Sequence, residues 1–160
     1  MTEKININQL FEKAMKDPAL FSTLDIHHLL ESIENDKNDY LEKKTMKQIT
    51  HEIYESIDYL TISDKIKKEY CKKLAGYRLV DNIHELHIGK HVRWIRESSQ
   101  SLTNGCIITN IKFLYNGTQV LGKNNQNRFI QFKFDECIIF QKMTLEEQLI
   151  LMAYDYIEKA

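Results

Sequence analysis

The sequence predicts an α+β chain, in which an N-terminal helical region packs on a small five-stranded antiparallel barrel closed by a C-terminal helix. Three observations carry this prediction. Apolar residues recur at helical spacing over the first half, strand-like alternation begins after Gly89, and Thr144 opens a last apolar segment with a capping box. The expected division is 1–87 for the helical region and 88–160 for the barrel with its helix.

Leu10, Phe11, Ala14 and Met15 share one helical face, and Asp17-Pro18 ends that segment because proline disfavours a helical residue before it. Ile26, Leu29, Leu30 and Ile33 form a second stripe, with Ser22, Thr23 and Asp25 as candidate caps. Residues 34–39 hold no apolar side chain and read as a loop. Met46, Ile49, Ile53, Ile57 and Leu60 make a longer third stripe. Ser63-Asp64 caps a fourth helix with Ile66, Tyr70 and Leu74 inward, and Gly76 ends it. A short helical turn is expected near residues 82–86.

The period then changes from helical to alternating. Residues 91–95 and 105–114 read as strands, the second rich in β-branched residues. Asn116-Gly117 is the strongest hairpin signal in the chain. Residues 118–121, 127–134 and 138–140 complete five strands, with the longest loop between the first two and one tight turn before the last. That layout resembles a Src-homology-three-like or Tudor-like barrel. Thr144 and Glu147 then form the capping box of a helix whose face is read as Leu145, Leu149, Met152, Ala153 and Tyr156.

Charge is partitioned along the chain. Residues 88–142 hold eight basic and three acidic side chains, net +5, whereas residues 1–87 and 143–160 each carry net −3. A basic segment between acidic ones suits phosphates or an acidic polypeptide. It also suits cations that pair with the acidic helices of the same chain, and both readings stand at this point.

Catalytic and metal-binding patterns are missing from the sequence. Three widely spaced cysteines, Cys71, Cys106 and Cys137, form no Cys-x-x-Cys pair and suit a reducing compartment. Cys106 is expected in the core. His84, His87 and His91 lack the four-residue spacing of a zinc-protease helix, so no metal or cofactor is expected. No phosphate-binding glycine pattern occurs, and no stretch nears the roughly 20 apolar residues of a membrane span. The polar N-terminus does not read as a leader. Seven aromatics crowd the barrel region, most of them expected inside. Trp94 and Tyr115, each beside polar residues, are expected at the surface. Alternation places Arg93 and Ile95 on one face, and Trp94 and Arg96 on the other.

The stretch from Tyr77 to Ile95, with its Gly89-Lys90-His91-Val92-Arg93-Trp94-Ile95 strand, resembles a junction in small uncharacterised proteins of nucleocytoplasmic large DNA viruses. Residues 138–144, ending in Lys142-Met143-Thr144, look like the close of the barrel in those proteins. The resemblance covers about the last half of the chain and implies a viral protein, without established activity or catalytic residues.

The expected function is a non-catalytic viral binding module. It would engage nucleic acid, or an acidic or cationic-motif protein partner of the expression or packaging machinery. The residues expected to do so are Arg93, Trp94, Arg96, Lys112, Tyr115 and Arg128. The alternative is a scaffolding virion component that uses the barrel as an assembly surface. Either would act in the cytoplasm or nucleus of an infected cell, or in the virion, without a membrane partner.

Overall fold

The computed structural model describes residues 31–159. The helix expected around residues 10–16, and the second stripe before residue 31, lie outside the described residues. Backbone contacts divide the chain into two compact units, one formed by residues 49–143 and the other by the segments on either side.

In the unit of residues 49–143, six strands form one antiparallel sheet, accompanied by most of a first helix and all of a second. Helix α1 (Met46–Asp58) begins with a capping box: Gln48 N–H donates to Thr45 Oγ1 at 3.3 Å, and Thr45 N–H donates to Gln48 Oε1 at 3.0 Å. Its predicted stripe is buried at Ile49, Ile53 and Ile57. Helix α2 (Asp64–Lys73) starts at Ser63, whose Oγ accepts the Ile66 N–H, and carries Asp64 and Lys72-Lys73 at the ends that favour them. Leu74 is buried, Tyr70 half-buried and Ile66 more exposed than expected. Gly76, at φ +85°, turns the chain into the sheet.

The strands are β1 (Tyr77–Val80), β2 (His91–Arg96), β3 (Cys106–Leu114), β4 (Gly117–Lys123), β5 (Phe129–Lys133) and β6 (Cys137–Lys142), in the spatial order β1-β6-β2-β3-β4-β5. All five predicted strands form. The sheet is not the expected closed barrel. Tyr77–Val80, not foreseen as a strand, pairs with the outer edge of β6. That is the edge β5 would have to reach to close a ring, so β1 and β5 end as open edges. The hairpin after Leu114 forms with Tyr115 and Asn116 as its loop, since Leu114 pairs with Gly117. A 3-10 turn, Phe134–Glu136, precedes β6, and another, Ile83–Glu85, lies where the short helical turn was expected.

Two cores flank the sheet. On the inner face Val80, Leu86, Val92, Trp94, Cys106, Ile108, Val120, Phe132 and Ile139 pack together. On the other face Ile53, Ile57, Leu60 and Leu74 from the helical segments meet Ile95 and Phe140. Beside the inner core lies a buried polar layer. Arg78 Nη2 donates to Glu85 O at 2.6 Å, the Glu85 carboxylate accepts the N–H of Asp81 and Asn82, and His87 N–H donates to Gln141 Oε1. These bonds pin the Asp81–Lys90 connection, which would otherwise bury polar backbone without partners.

The other unit holds helix α3 (Leu145–Lys159) and a 3-10 turn, Asp36–Leu41, which begins within the stretch 34–39 expected as a loop and runs two residues past it. Thr144 and Glu147 form the predicted capping box, each N–H donating to the other's side chain at 3.0 Å. Asn38 Nδ2 donates to Glu146, and Tyr40 O–H donates to Glu147. Ile150, Leu151 and Ala153 are its buried apolar residues, whereas Leu145 is exposed. Of the expected face Ala153 is buried, Leu149, Met152 and Tyr156 are half-buried and only Leu145 is exposed; residues 149–154 are apolar all round, so spacing alone does not single out Ile150 and Leu151.

Gly105 enters β3 at φ +85°, and a Cβ there would lie 2.0 Å from the Val92 carbonyl oxygen. Gly89, at φ +89°, has open space around it. Gly89→Ala is therefore expected to cost only the left-handed backbone strain, about 1 kcal/mol. Gly105→Ala is expected to cost about 2 kcal/mol or more, because backbone must also shift. Chemical denaturation of both variants checks this, and equal costs would remove the steric explanation.

Candidate nucleic-acid interface

Strand parity decides which side chains of this sheet meet solvent. Helices α1 and α2 cover the outer face over Leu79, Ile95, Ile138 and Phe140. Beyond β2, no helix among the described residues of this unit covers that face. His91 lies opposite Ile107, Ile107 opposite Lys123, and Lys123 opposite Phe129, so the four form one row across β2 to β5. Tyr77 and Lys142, opposite each other in β1 and β6, stand on the same face. Six strands at a spacing of about 4.8 Å give this face a width of roughly 24 Å.

A β-bulge sets the next row. The β3–β4 register shifts between Ile108 and Asn110, leaving Thr109 as the extra residue. An uninterrupted strand would put Lys112 on the side of Cys106 and Ile108. The bulge reverses that parity, so Ile111 packs against the inner core while Lys112 is exposed opposite Gln119.

The exposed part of the outer face is cationic and carries an open aromatic. Lys123 Nζ stands 5.6 Å from the centroid of the Phe129 ring, itself 74% exposed. Arg93 shares this face, and its Nε donates to Thr103 O at 2.9 Å. Arg93, Arg96, Lys112, Lys123, Arg128 and Lys142 form no ion pair with a described carboxylate of this unit. Lys133 approaches Glu136 at 3.9 Å.

His91 and Tyr77 join at 2.9 Å between Nδ1 and the phenol oxygen. Burial holds the Tyr77 phenol above its usual range, and the imidazole tautomer sets which of the two donates. Burial, then Arg93 and Lys142, hold His91 below the usual imidazole range. Cys106 and Cys137 are pushed up to about 11 by burial and remain thiols. Among the described residues no three His, Cys, Asp or Glu side chains converge as metal ligands.

The six expected site residues do not gather at one place. Arg93 and Lys112 lie on the outer face, and Tyr115 stands fully exposed at the hairpin tip. Arg128 is exposed in the β4–β5 turn beside Phe129. Trp94 is not at the surface. It is 3% exposed and stacks on Phe132 with ring centroids 4.0 Å apart, because it shares the inward parity of Val92 and lies opposite Ile139. Arg96 shares that parity but lies at the strand end, where it emerges into a cleft.

That cleft, of about 380 Å³, opens between the β2–β3 loop and the β4–β5 turn, with Trp94, Arg96, Asn104, Gln126 and Gln131 among its lining. Hydrogen bonds hold both walls. Thr103 N–H donates to Trp94 O, Trp94 N–H donates to Thr103 Oγ1, and Gln100 Oε1 accepts from the Thr61 backbone and hydroxyl. In the turn, Asn124 Oδ1 accepts the N–H of Gln126 and Arg128, while Asn127 takes φ +60°.

No protein-family model, curated protein or solved structure matches the chain. No helix among the described residues is long and apolar enough to cross a membrane.

Lys123, Phe129, His91 and Lys142 were not among the expected site residues. Parity offered a signal for Phe129, which alternates with Gln131 and Lys133, whereas Ile130, Phe132 and Phe134 form the other register.

The unfolded chain protonates His91 at higher pH than the folded protein does, so acid favours unfolding and stability falls as pH drops through about 6.5. The melting temperature is expected to fall between about pH 7.5 and about pH 5.5, and to fall less in His91→Gln. An equal fall in both proteins would show that the effect arises elsewhere.

Proposed function

We propose that the unit of residues 49–143 is a non-catalytic nucleic-acid-binding module of a large DNA virus. One observation carries the reading: the part of the outer face left bare by the helices presents cations without ion partners around an exposed aromatic ring. Unpaired cations on a sheet release counterions when they meet phosphates, which supplies sequence-independent affinity. An exposed ring such as Phe129 adds a stacking surface that tolerates any base. Buried thiols that stay protonated, and a histidine committed to Tyr77, suit binding rather than catalysis.

We infer in addition that the sheet is an opened relative of the Src-homology-three-like path. The order β6-β2-β3-β4-β5, the long β2–β3 loop and the 3-10 turn before β6 support that reading, and β1 is an addition to it.

The hairpin end favours a second reading, an assembly surface. Phe113, Leu114 and Tyr115 are all exposed there, more apolar area than a phosphate-binding surface requires.

The test replaces Arg93, Arg96, Lys112, Lys123 and Arg128 by Gln, one at a time, and measures melting temperature together with affinity for short single-stranded and duplex probes. Lys112→Gln, Lys123→Gln and Arg128→Gln are expected to weaken binding at constant melting temperature. Each should flatten the dependence of log affinity on log salt by about one. Arg93→Gln is expected to lose stability as well, since it also loses the bond to Thr103. A parent protein with no affinity at low salt, but with concentration-dependent self-association abolished by Tyr115→Ser, would replace this reading by the second.

A further inference from the structure

We infer that the cleft between the β2–β3 loop and the β4–β5 turn is a subsite for one unpaired nucleobase. The inference rests on the nucleic-acid reading above and adds to it a source of base preference.

Besides Asn124, whose Oδ1 is held in the turn, Asn104, Asn125 and Gln126 bring side-chain amides to the lining; Gln131 borders the cleft too, but strand parity turns its side chain to the outer face with Phe129. None of Asn104, Asn125 and Gln126 makes a side-chain hydrogen bond to another described residue. Each presents an N–H donor and a carbonyl acceptor side by side, the pattern that matches the donor–acceptor edge of a base. Trp94 lies in the lining, 97% buried by its 3% exposure, and its Nε1–H is a buried donor with no partner among the described residues. A buried donor without a partner is unfavourable, and a base that displaced the side chains covering it would supply one.

The chemistry of the lining excludes other guests. No carboxylate lines the cleft, so a cation gains nothing there, and the one aromatic is already stacked on Phe132, which leaves no cage for a methylated ammonium. A single guanidinium, Arg96, is too few for a run of acidic side chains but suffices for one flanking phosphate. The volume lies at the small end of the roughly 300–1,000 Å³ of ligand pockets, and the cleft is half open, so a polymer could leave a base in it and continue outside. Single-stranded nucleic acid offers such splayed bases, whereas duplex hides its edges. The walls are held by the Asn124 turn and the bonds of Thr103 and Gln100, so the amides need little reorganisation to bind.

Trp94 is the only tryptophan of the chain, so intrinsic emission reports on this cleft alone. The experiment titrates the full chain with the four homopolymeric single-stranded oligonucleotides, with nucleoside 5′-monophosphates up to millimolar concentration, and with a polyglutamate peptide. It reads Trp94 emission and, for labelled oligonucleotides, anisotropy. The same titrations use the Asn104→Ala/Gln126→Ala variant, which removes two exposed amides with no side-chain bonds to other described residues and is expected to keep its melting temperature. The parent is expected to prefer one homopolymer by about tenfold, with a change in Trp94 emission, and the variant to flatten that preference to about twofold. Oligonucleotides bound without base preference, or with a preference the variant keeps, would overturn the subsite while leaving the cationic face intact. Should no oligonucleotide bind, the function proposed above fails. A base-dependent emission change with monophosphates, lost in the variant, would then still support the cleft, and no change would sink it. Emission that responds to polyglutamate and not to nucleotides would assign the cleft to an acidic peptide and overturn the inference.

Discussion

Strand β6 is the constraint on which the rest of the unit depends. It is the last strand in the sequence, yet it lies inside the sheet and bonds β1 on one edge and β2 on the other. Successive residues feed opposite cores, Ile139 the inner one and Phe140 the one beneath the helices. Neither core is complete until this strand arrives, and its partners lie tens of residues earlier. Such long-range pairing requires loop closure before contacts reward it, so the two cores depend on the least local pairings of the unit. The polar layer of Arg78, Glu85 and Gln141 is tied to the same strand, since Gln141 holds the His87 backbone.

The helices determine which surface is left for ligands. Ile53, Ile57, Leu60 and Leu74 are enough apolar surface to cover Ile95, Phe140 and their neighbours, and no more. Within this unit the outer face beyond β2 is left without a helix, and it carries Lys112, Lys123 and Lys133 with only Ile107 and Phe129 as large exposed apolar groups among β3 to β5 before the hairpin end. An edge strand with lysine resists pairing with another chain, so Lys133 on β5 guards an open edge while adding positive charge. The charge partition of the sequence thus becomes, in three dimensions, a division between a covered and an uncovered part of one face.

What the sequence made legible follows from which interactions are local. The strands after Gly89 announce themselves through alternation and through Asn116-Gly117, and α1, α2 and α3 through their stripes and caps. Tyr77–Val80 does not, because four residues with an arginine at a buried position look like the frayed end of a helix. Its strand identity is conferred by β6, 60 residues away, and with it goes the open rather than closed sheet. Trp94 was misplaced for a related reason. Polar neighbours in sequence say only that alternate residues face water, and which alternate set does so depends on Phe132 and Ile139 across the sheet. The basic character of the surface was legible. The choice of Lys123 and Phe129 as its centre was not, since it needs the register of three strands.

Thr109 shows how closely the core and the binding face are coupled. A strand has a period of two, so a residue cannot change face unless all those after it change as well. Without the extra residue, Ile111 would turn outward and Lys112 would be driven toward Ile108 and Val120, where a lone ammonium has no partner. With it, one isoleucine joins the inner core and one lysine joins the cations around Phe129. A defect of one residue in the ladder therefore places a core side chain and a phosphate-binding candidate at once. The surface is in this sense a consequence of how the core is packed, and a substitution that restored regular pairing at Thr109 would disturb both.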